Sequence, residues 1–176
     1  ESLFLQVFED ESSKIYTKLL NLINDNKVWY NIGIPAISDV IFPYIIRDSV
    51  RFILNEAKVI ARDDFYTISS DYDPLLLMGL LNSLFVFSQL ELCGKSYGNG
   101  LLKIQKYDVD NIVVPNPNSI SAEDKRAIIN YSKLLIKTND YDYVNKITNT
   151  LSKYYKIDNI EEIYKSQKSN RLKYEL

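Results

Sequence analysis

The sequence predicts an α+β domain with a small mixed or antiparallel sheet, a buried helix and a helical C-terminal tail. Residues 27–70 contain short β-branched and aromatic runs separated by Pro, Asn and Asp, a pattern typical of strands. Residues 75–92 are mostly apolar, which indicates a buried helix, and apolar residues at helical spacing follow residue 120. Strands followed by a run of helices favour an α+β architecture.

Six segments have the composition of strands. Val, Ile, Phe and Tyr dominate each of them, and Gly, Pro, Asn or Asp separates most of them from their neighbours. The predicted strands cover residues 28–31, 40–45, 51–54, 58–61, 65–69 and 101–104.

Helices are predicted near the N-terminus and in the middle of the chain. Ile15, Leu19 and Leu22 lie at helical spacing, which predicts an amphipathic helix over residues 12–25. Asp73 and Pro74 are favourable for the start of a second helix, because proline is tolerated in the first turn. This second helix is expected to be buried and continuous to about residue 93.

The tail after residue 118 is predicted to contain three helices. Ser121 and Asp124 form a capping-box pattern before the first, the second covers residues 141–155, and the third starts at Asp158 and fades over residues 166–170. The resulting division is an N-terminal helix (1–26), an α+β domain (27–118) and a helical tail (119–176).

Composition excludes several classes of active site. The 176 residues include no histidine and one cysteine, so His-containing triads, His-based metal sites and a disulfide framework are excluded. We expect no metal ligands and no catalytic residue, and we expect Cys93 to be a small buried residue. A single cysteine fits a reducing cytosol, so we expect a cytoplasmic protein. The apolar stretch is interrupted by polar residues and too short for a membrane span, so we expect no membrane partner.

A glycine-rich segment, residues 94–100, is the most informative feature of the chain. It contains three of the five glycines, and lysine, serine, tyrosine and asparagine lie between and beside them. Glycine permits positive φ and close approach of another backbone, and lysines beside an aromatic ring suit a nucleic-acid partner. A helix end followed by an ordinary turn explains the same residues equally well.

The order of pieces around this segment resembles the end of the target-recognition region of adenine-specific DNA methyltransferases from restriction–modification systems. A looser version of the order is similar to the specificity subunits of type I restriction enzymes. The resemblance extends over roughly residues 40–118. In chain order its pieces are Ile41-Phe42-Pro43-Tyr44, residues 51–55, Phe65-Tyr66-Thr67-Ile68, Asn82-Ser83, the glycine-rich segment, residues 101–104 and Val113-Val114-Pro115-Asn116-Pro117.

The resemblance implies that the chain selects a site on double-stranded DNA for a catalytic methyltransferase domain, present in cis or in trans. The base-gripping Asn/Asp-Pro-Pro-Tyr/Phe loop and a cofactor-binding glycine turn are missing from this sequence. We therefore expect S-adenosylmethionine to bind the catalytic domain and not this chain. The expected DNA contacts are Arg47, Arg51, Lys58, Arg62, Lys95, Ser96, Tyr97, Gly98, Asn99, Gly100 and Lys103.

Two other interpretations remain open from the sequence. The chain could be part of a type I specificity subunit, although its tail lacks the sustained heptads of a long coiled coil. It could also be a protein-interaction domain that does not bind DNA, which the net charge of −2 favours. In that case the lysines and arginines would be ordinary solvated side chains.

Overall fold

The computed structural model describes residues 36–61 and 63–173, together with Thr17, Lys18 and Asn21. The chain divides into two compact units, Glu1–Ala36 and Ile37–Leu176. The helix predicted over residues 12–25 lies almost entirely outside the described residues, and the strand predicted over residues 28–31 lies wholly outside them.

The α+β prediction is confirmed in the second unit, where the described residues form two antiparallel sheets of three strands each and six α-helices. In the first sheet the strand order is β3-β1-β4, and in the second it is β2-β6-β5. The strands are β1 Val40–Pro43, β2 Ile45–Ile46, β3 Ile53–Leu54, β4 Phe65–Ile68, β5 Lys95–Tyr97 and β6 Leu101–Lys103. The helices are α1 Pro74–Leu81, α2 Leu84–Cys93, α3 Lys106–Asp110, α4 Ala122–Thr138, α5 Asp142–Tyr155 and α6 Ile160–Leu172, with a 3-10 turn at Pro117–Ser119.

The strand predicted over residues 40–45 is in fact two strands that belong to different sheets. The chain changes sheet at Tyr44, whose N–H donates to the Asp64 carbonyl beside the first sheet (3.3 Å). The carbonyl of Tyr44 accepts from the Ile104 N–H beside the second sheet (2.8 Å). Pro43, which has no N–H to donate, is the last residue of β1.

Two asparagine side chains shorten or replace predicted strands by bonding to the main chain. Asn82 is buried and pairs with both the N–H and the carbonyl of Phe52 (3.1 and 2.8 Å), so only residues 53 and 54 of the predicted strand 51–54 join the sheet. Asn55 pairs in the same way with Val59 (3.0 and 2.9 Å). The strand predicted over residues 58–61 is therefore wrong.

The predicted central helix is broken into α1 and α2, which meet at an angle of 57°. Asp73 caps α1 by accepting from the N–H groups of Leu75 and Leu76, as the Asp-Pro pattern predicts. At the break, Asn82 bonds to the Met78 carbonyl as well as to Phe52, and the Leu84 N–H donates to Thr148 Oγ1 (3.0 Å). These partners replace the bonds of a continuous helix.

The three tail helices are confirmed, although α6 continues through residues 166–170 and ends only at Leu172. Helix α4 packs closely on α1, because a Cβ added at Gly79 would lie 2.5 Å from side-chain atoms of Ile128 and Ser132. Helix α6 packs along α2, where Ser88 donates to Gln167 (2.6 Å). The division at residue 118 stays a prediction, and residues 37–176 form one compact unit.

In the part of the chain that the structure describes, no single helix is both long and apolar enough to cross a membrane. The bent pair α1 and α2 meets these criteria when the two helices are taken together.

Candidate nucleic-acid interface

The glycine-rich segment forms a β-hairpin, which the sequence did not predict as such. Strand β5 pairs with β6 in antiparallel register, with Lys95 opposite Lys103 and Tyr97 opposite Leu101. In the turn, Asn99 and Gly100 both have positive φ (61° and 64°). Asn and Gly adopt this conformation most readily, so the local sequence explains the tight turn.

One face of the hairpin displays two lysines and a tyrosine. Residues opposite each other, and residues two apart on a strand, share a face of the sheet, so Lys95, Tyr97 and Lys103 lie together. Tyr97 is 52% exposed, whereas Leu102, on the other face, is fully buried. We call Lys95, Tyr97 and Lys103 the hairpin face.

The lysines of the hairpin face have no acidic partner among the described residues. Lys103 Nζ lies 5.7 Å from the centre of the Tyr44 ring, and Lys95 is an exposed residue of the edge strand. Two like charges directly opposite each other in a sheet repel, and an anion placed between or above them relieves this repulsion. The arrangement therefore suits a phosphate.

The glycines at the two ends of the hairpin segment have different roles. A Cβ at Gly94 would lie 2.7 Å from side-chain carbons of both Leu102 and Ile104, so glycine is needed there for close packing. A Cβ at Gly98 would meet nothing within 4 Å, which leaves that end of the turn open to a partner. Ser96 is exposed and lies opposite Leu102, away from the hairpin face.

Arg47 is connected to the hairpin turn by Arg171, a residue that the sequence patterns did not predict. The exposed side chain of Arg47 follows β2, and its main-chain carbonyl accepts from Arg171 Nη1 (3.0 Å). The same guanidinium nitrogen donates to the carbonyl of Gly100 in the hairpin turn. Arg171 lies far away in the sequence. The one feature that could have indicated it is Glu91, because an acid in an apolar helix needs a cationic partner when it is buried.

The remaining predicted contacts do not gather at the hairpin. Arg51 is half-buried beside the first sheet and donates to Asn139 Oδ1, at the end of α4. Lys58 is exposed in the turn that follows β3 and has positive φ (52°). Arg62 lies outside the described residues.

Cys93 is exposed at the end of α2, so the expectation that it is buried is wrong. Partial desolvation raises the pKa of its thiol, and the Asp108 carboxylate raises the pKa further. A reactive cysteine has a lowered pKa, so this thiol lacks that activation. Among the described residues, no group of three His, Cys, Asp or Glu side chains is placed to hold a metal ion.

Comparison with known proteins identifies the family. The family model described as "Type II methyltransferase M.Eco57I, C-terminal domain" matches residues 23–153, well over half of the chain. No curated protein and no solved structure gives a significant match. The matched range contains both sheets, the hairpin and most of the helical tail, so the resemblance predicted from the sequence is confirmed: the chain belongs to the family of the C-terminal domain of the type II methyltransferase M.Eco57I.

Proposed function

We propose that this chain recognises the DNA site of an S-adenosylmethionine-dependent adenine DNA methyltransferase in a restriction–modification system. A separate catalytic domain supplies the cofactor site and the chemistry, in cis or in trans. The family match supports a methyltransferase part, and the observation that carries the DNA-binding role is the hairpin face. The protein would act in the cytoplasm, where its DNA substrate lies.

The hairpin face can contribute both affinity and sequence preference. Lys95 and Lys103 present ammonium groups with no acidic partner among the described residues, and such groups neutralise phosphates and release counterions. Tyr97 and the Asn99 amide at the turn offer groups for sugar, phosphate or base edges. Strand β2 pairs with β6 only at Leu102 and Lys103, so the tip of the hairpin is two-stranded and narrow enough for the major groove of duplex DNA.

The same geometry explains how a chain with a net charge of −2 binds DNA. Several other lysines on the described surface are paired with acids: Lys106 with Asp110, Lys146 with Asp142, and Lys165 with Glu161. Local potential, and not the total charge, then decides where the phosphate backbone binds. The hairpin face combines two lysines that have no acidic partner among the described residues with an exposed aromatic ring.

The test is duplex binding measured by fluorescence anisotropy at several salt concentrations. We expect affinity to fall steeply with salt, and Lys95→Ala with Lys103→Ala to lower the slope of log K against log salt by about 0.9 per lost phosphate contact. The matched control is Lys146→Ala with Lys165→Ala, which removes the same charge from lysines already in ion pairs. Equal losses in the two double variants, or binding insensitive to salt, contradict the proposal and favour a protein-interaction domain.

Base selection is tested separately at the turn. Asn99→Gly keeps a residue that tolerates positive φ and removes the side chain that carries the amide. We expect the variant, joined to the catalytic domain, to change which adenines become N6-methylated while total DNA affinity changes little. An unchanged pattern of methylated sites would remove Asn99 from the recognition contacts.

A further inference from the structure

Helices α2 and α6 are joined by a buried ion pair. The Glu91 and Arg171 side chains are 1% and 3% exposed, and they meet at two points, Nε to Oε2 (2.8 Å) and Nη2 to Oε1 (3.0 Å). Burying two charges carries a large desolvation cost, and a well-packed apolar pair is often as stable. Stability alone therefore does not account for the pair, and the other hydrogen bonds of the guanidinium become informative.

The remaining guanidinium nitrogen of Arg171 bonds the main chain at two places beside the second sheet. Its Nη1 donates to the carbonyl of Arg47, just after β2, and to the carbonyl of Gly100, just before β6. The last residue pair between these strands is Ile46 with Leu102. Arg171 thus connects the two chain segments at the point where their own ladder stops.

This connection lies beside the proposed DNA contacts. Gly100 belongs to the turn that carries Asn99, and β6 continues from Gly100 to Lys103 in the hairpin face. On the other side, the exposed Arg47 side chain projects from the segment whose carbonyl Arg171 holds. The planar fork of arginine can hold a carboxylate with one edge while its other N–H groups bond carbonyl oxygens, which a lysine ammonium cannot reproduce.

We propose that Arg171 is a positioning residue for DNA recognition, and this inference rests on the proposed function. Held by Glu91, it fixes the hairpin turn and the Arg47 segment relative to each other, so that Arg47 and the hairpin face meet one DNA backbone together. Helix α6 is on this account part of the recognition unit and not only a brace for α2.

The helix packing itself does not depend on the ion pair alone. Phe87 and Tyr164 contact each other with ring centres 5.9 Å apart, and Ser88 bonds to Gln167. Replacing both charges by apolar residues of similar size, in Glu91→Leu with Arg171→Met, leaves these contacts in place and leaves no lone buried charge. This double variant separates positioning from folding.

The experiment is a double-mutant cycle on the 176-residue chain, with thermal unfolding followed by circular dichroism and duplex binding followed by anisotropy. We expect Glu91→Leu with Arg171→Met to unfold cooperatively and to bind DNA at least several-fold more weakly. Adding Lys95→Ala should then cost clearly less affinity than it costs in the wild-type chain, because residues that act through one element are not additive. The salt slope should fall in the double variant as contacts from Arg47 are lost.

Unchanged affinity in a folded double variant, or full additivity with Lys95→Ala, overturns the inference. If the double variant does not fold, Arg171→Lys serves instead, because it keeps the charge beside Glu91 but cannot hold both carbonyls. We expect it to weaken DNA binding while the unfolding transition is retained, and unchanged binding overturns the inference.

If the wild-type chain shows no salt-dependent DNA binding, the proposed function fails. Amide hydrogen exchange then tests the positioning role without DNA. Faster exchange at residues 99–101 in the double variant, with unchanged exchange in α4, supports a hairpin held by Arg171. Unchanged exchange in the turn overturns it.

Discussion

The two small sheets have the same number of strands and the same antiparallel pairing, yet their cations have different surroundings. At the first sheet, Arg51 bonds to Asn139 and contributes to the packing of α4. In the second sheet, the exposed Lys95 and the half-buried Lys103 lie opposite each other and have no acidic partner among the described residues. A cation becomes a candidate for binding when the fold places it beside another cation and leaves it without a hydrogen-bonded side-chain partner, and sequence position does not reveal this.

The side chain that links each sheet to the helices differs as well. The first sheet is held by the neutral amide of Asn82 at the break between α1 and α2. The second is held by the charged guanidinium of Arg171 from the C-terminal helix. The Asn82 link supports the fold and the Arg171 link supports a surface, so mutations at the two residues should affect different properties, stability in the first case and DNA binding in the second.

The largest expected effect is at Asn82. Asn82→Ala removes three hydrogen bonds and leaves the buried N–H and carbonyl of Phe52 unpaired, which should cost about 2–3 kcal/mol of unfolding free energy. Chemical denaturation measures this change, and Asn111→Ala, an exposed asparagine whose amide bonds to the Tyr107 carbonyl, is the control. If the Asn82 variant folds but its affinity for DNA no longer depends on salt, the first sheet also affects DNA binding and the proposed difference between the two sheets is wrong.

The two glycines of the hairpin segment provide the next test. Gly94→Ala places a Cβ against Leu102, Ile104 and the Leu90 carbonyl, and we expect a loss of about 1–3 kcal/mol from this overpacking. Gly98→Ala enters open space and should stay within about 0.5 kcal/mol of the wild-type stability. Melting temperatures of the two variants check both expectations, and a Gly98 variant that melts as early as the Gly94 variant would contradict them.

A smaller loss of stability is expected at acidic pH, from the hydrogen-bonded carboxylate of Asp124. Lys153, Ser121 and Tyr154 all donate to the Asp124 carboxylate and lower its pKa from 3.8 to about 2. Because the pKa is lower in the folded state, this stabilisation is complete above pH 3.8 and is lost as the pH falls towards 2. Lys153 is 61% exposed and solvent screens the pair, so we expect a loss of stability well below those of the Asn82 and Gly94 variants.

Thermal unfolding of wild type and Asp124→Asn between about pH 5 and pH 2 measures this contribution. The stability difference between the two proteins should shrink across that range. A difference that stays constant with pH would show that the carboxylate charge is not what stabilises the start of α4.

The smallest effect on stability, and the sharpest contrast between the sheets, concerns two arginines. Arg47→Gln should lower the DNA salt slope by about 0.9, whereas Arg51→Gln should leave the slope unchanged, because Arg51 is engaged with Asn139. Anisotropy titrations at several salt concentrations give both slopes. Equal slopes for the two variants would mean that both sheets contact DNA or that neither does, and would contradict the proposed contrast.

Much of the fold follows from local sequence. The three tail helices lie where apolar spacing and the Ser121 cap predict them, because a helix bonds within itself and its signals lie within a few residues. The α+β class follows in the same way from the order of strand-like and helix-like runs. The family resemblance also came from the sequence, since it depends on an order of short pieces.

The tertiary structure alone decided where backbone groups find partners far along the chain. Asn82 takes the place of a strand for Phe52, Tyr44 divides its hydrogen bonds between two sheets, and Arg171 bridges Gly100 and Arg47. A local pattern records the preference of a segment, but a side chain 30 or 71 residues away decides whether that preference is realised. For the same reason the sequence named the lysines of the hairpin, and only the fold placed them together without an acidic partner among the described residues.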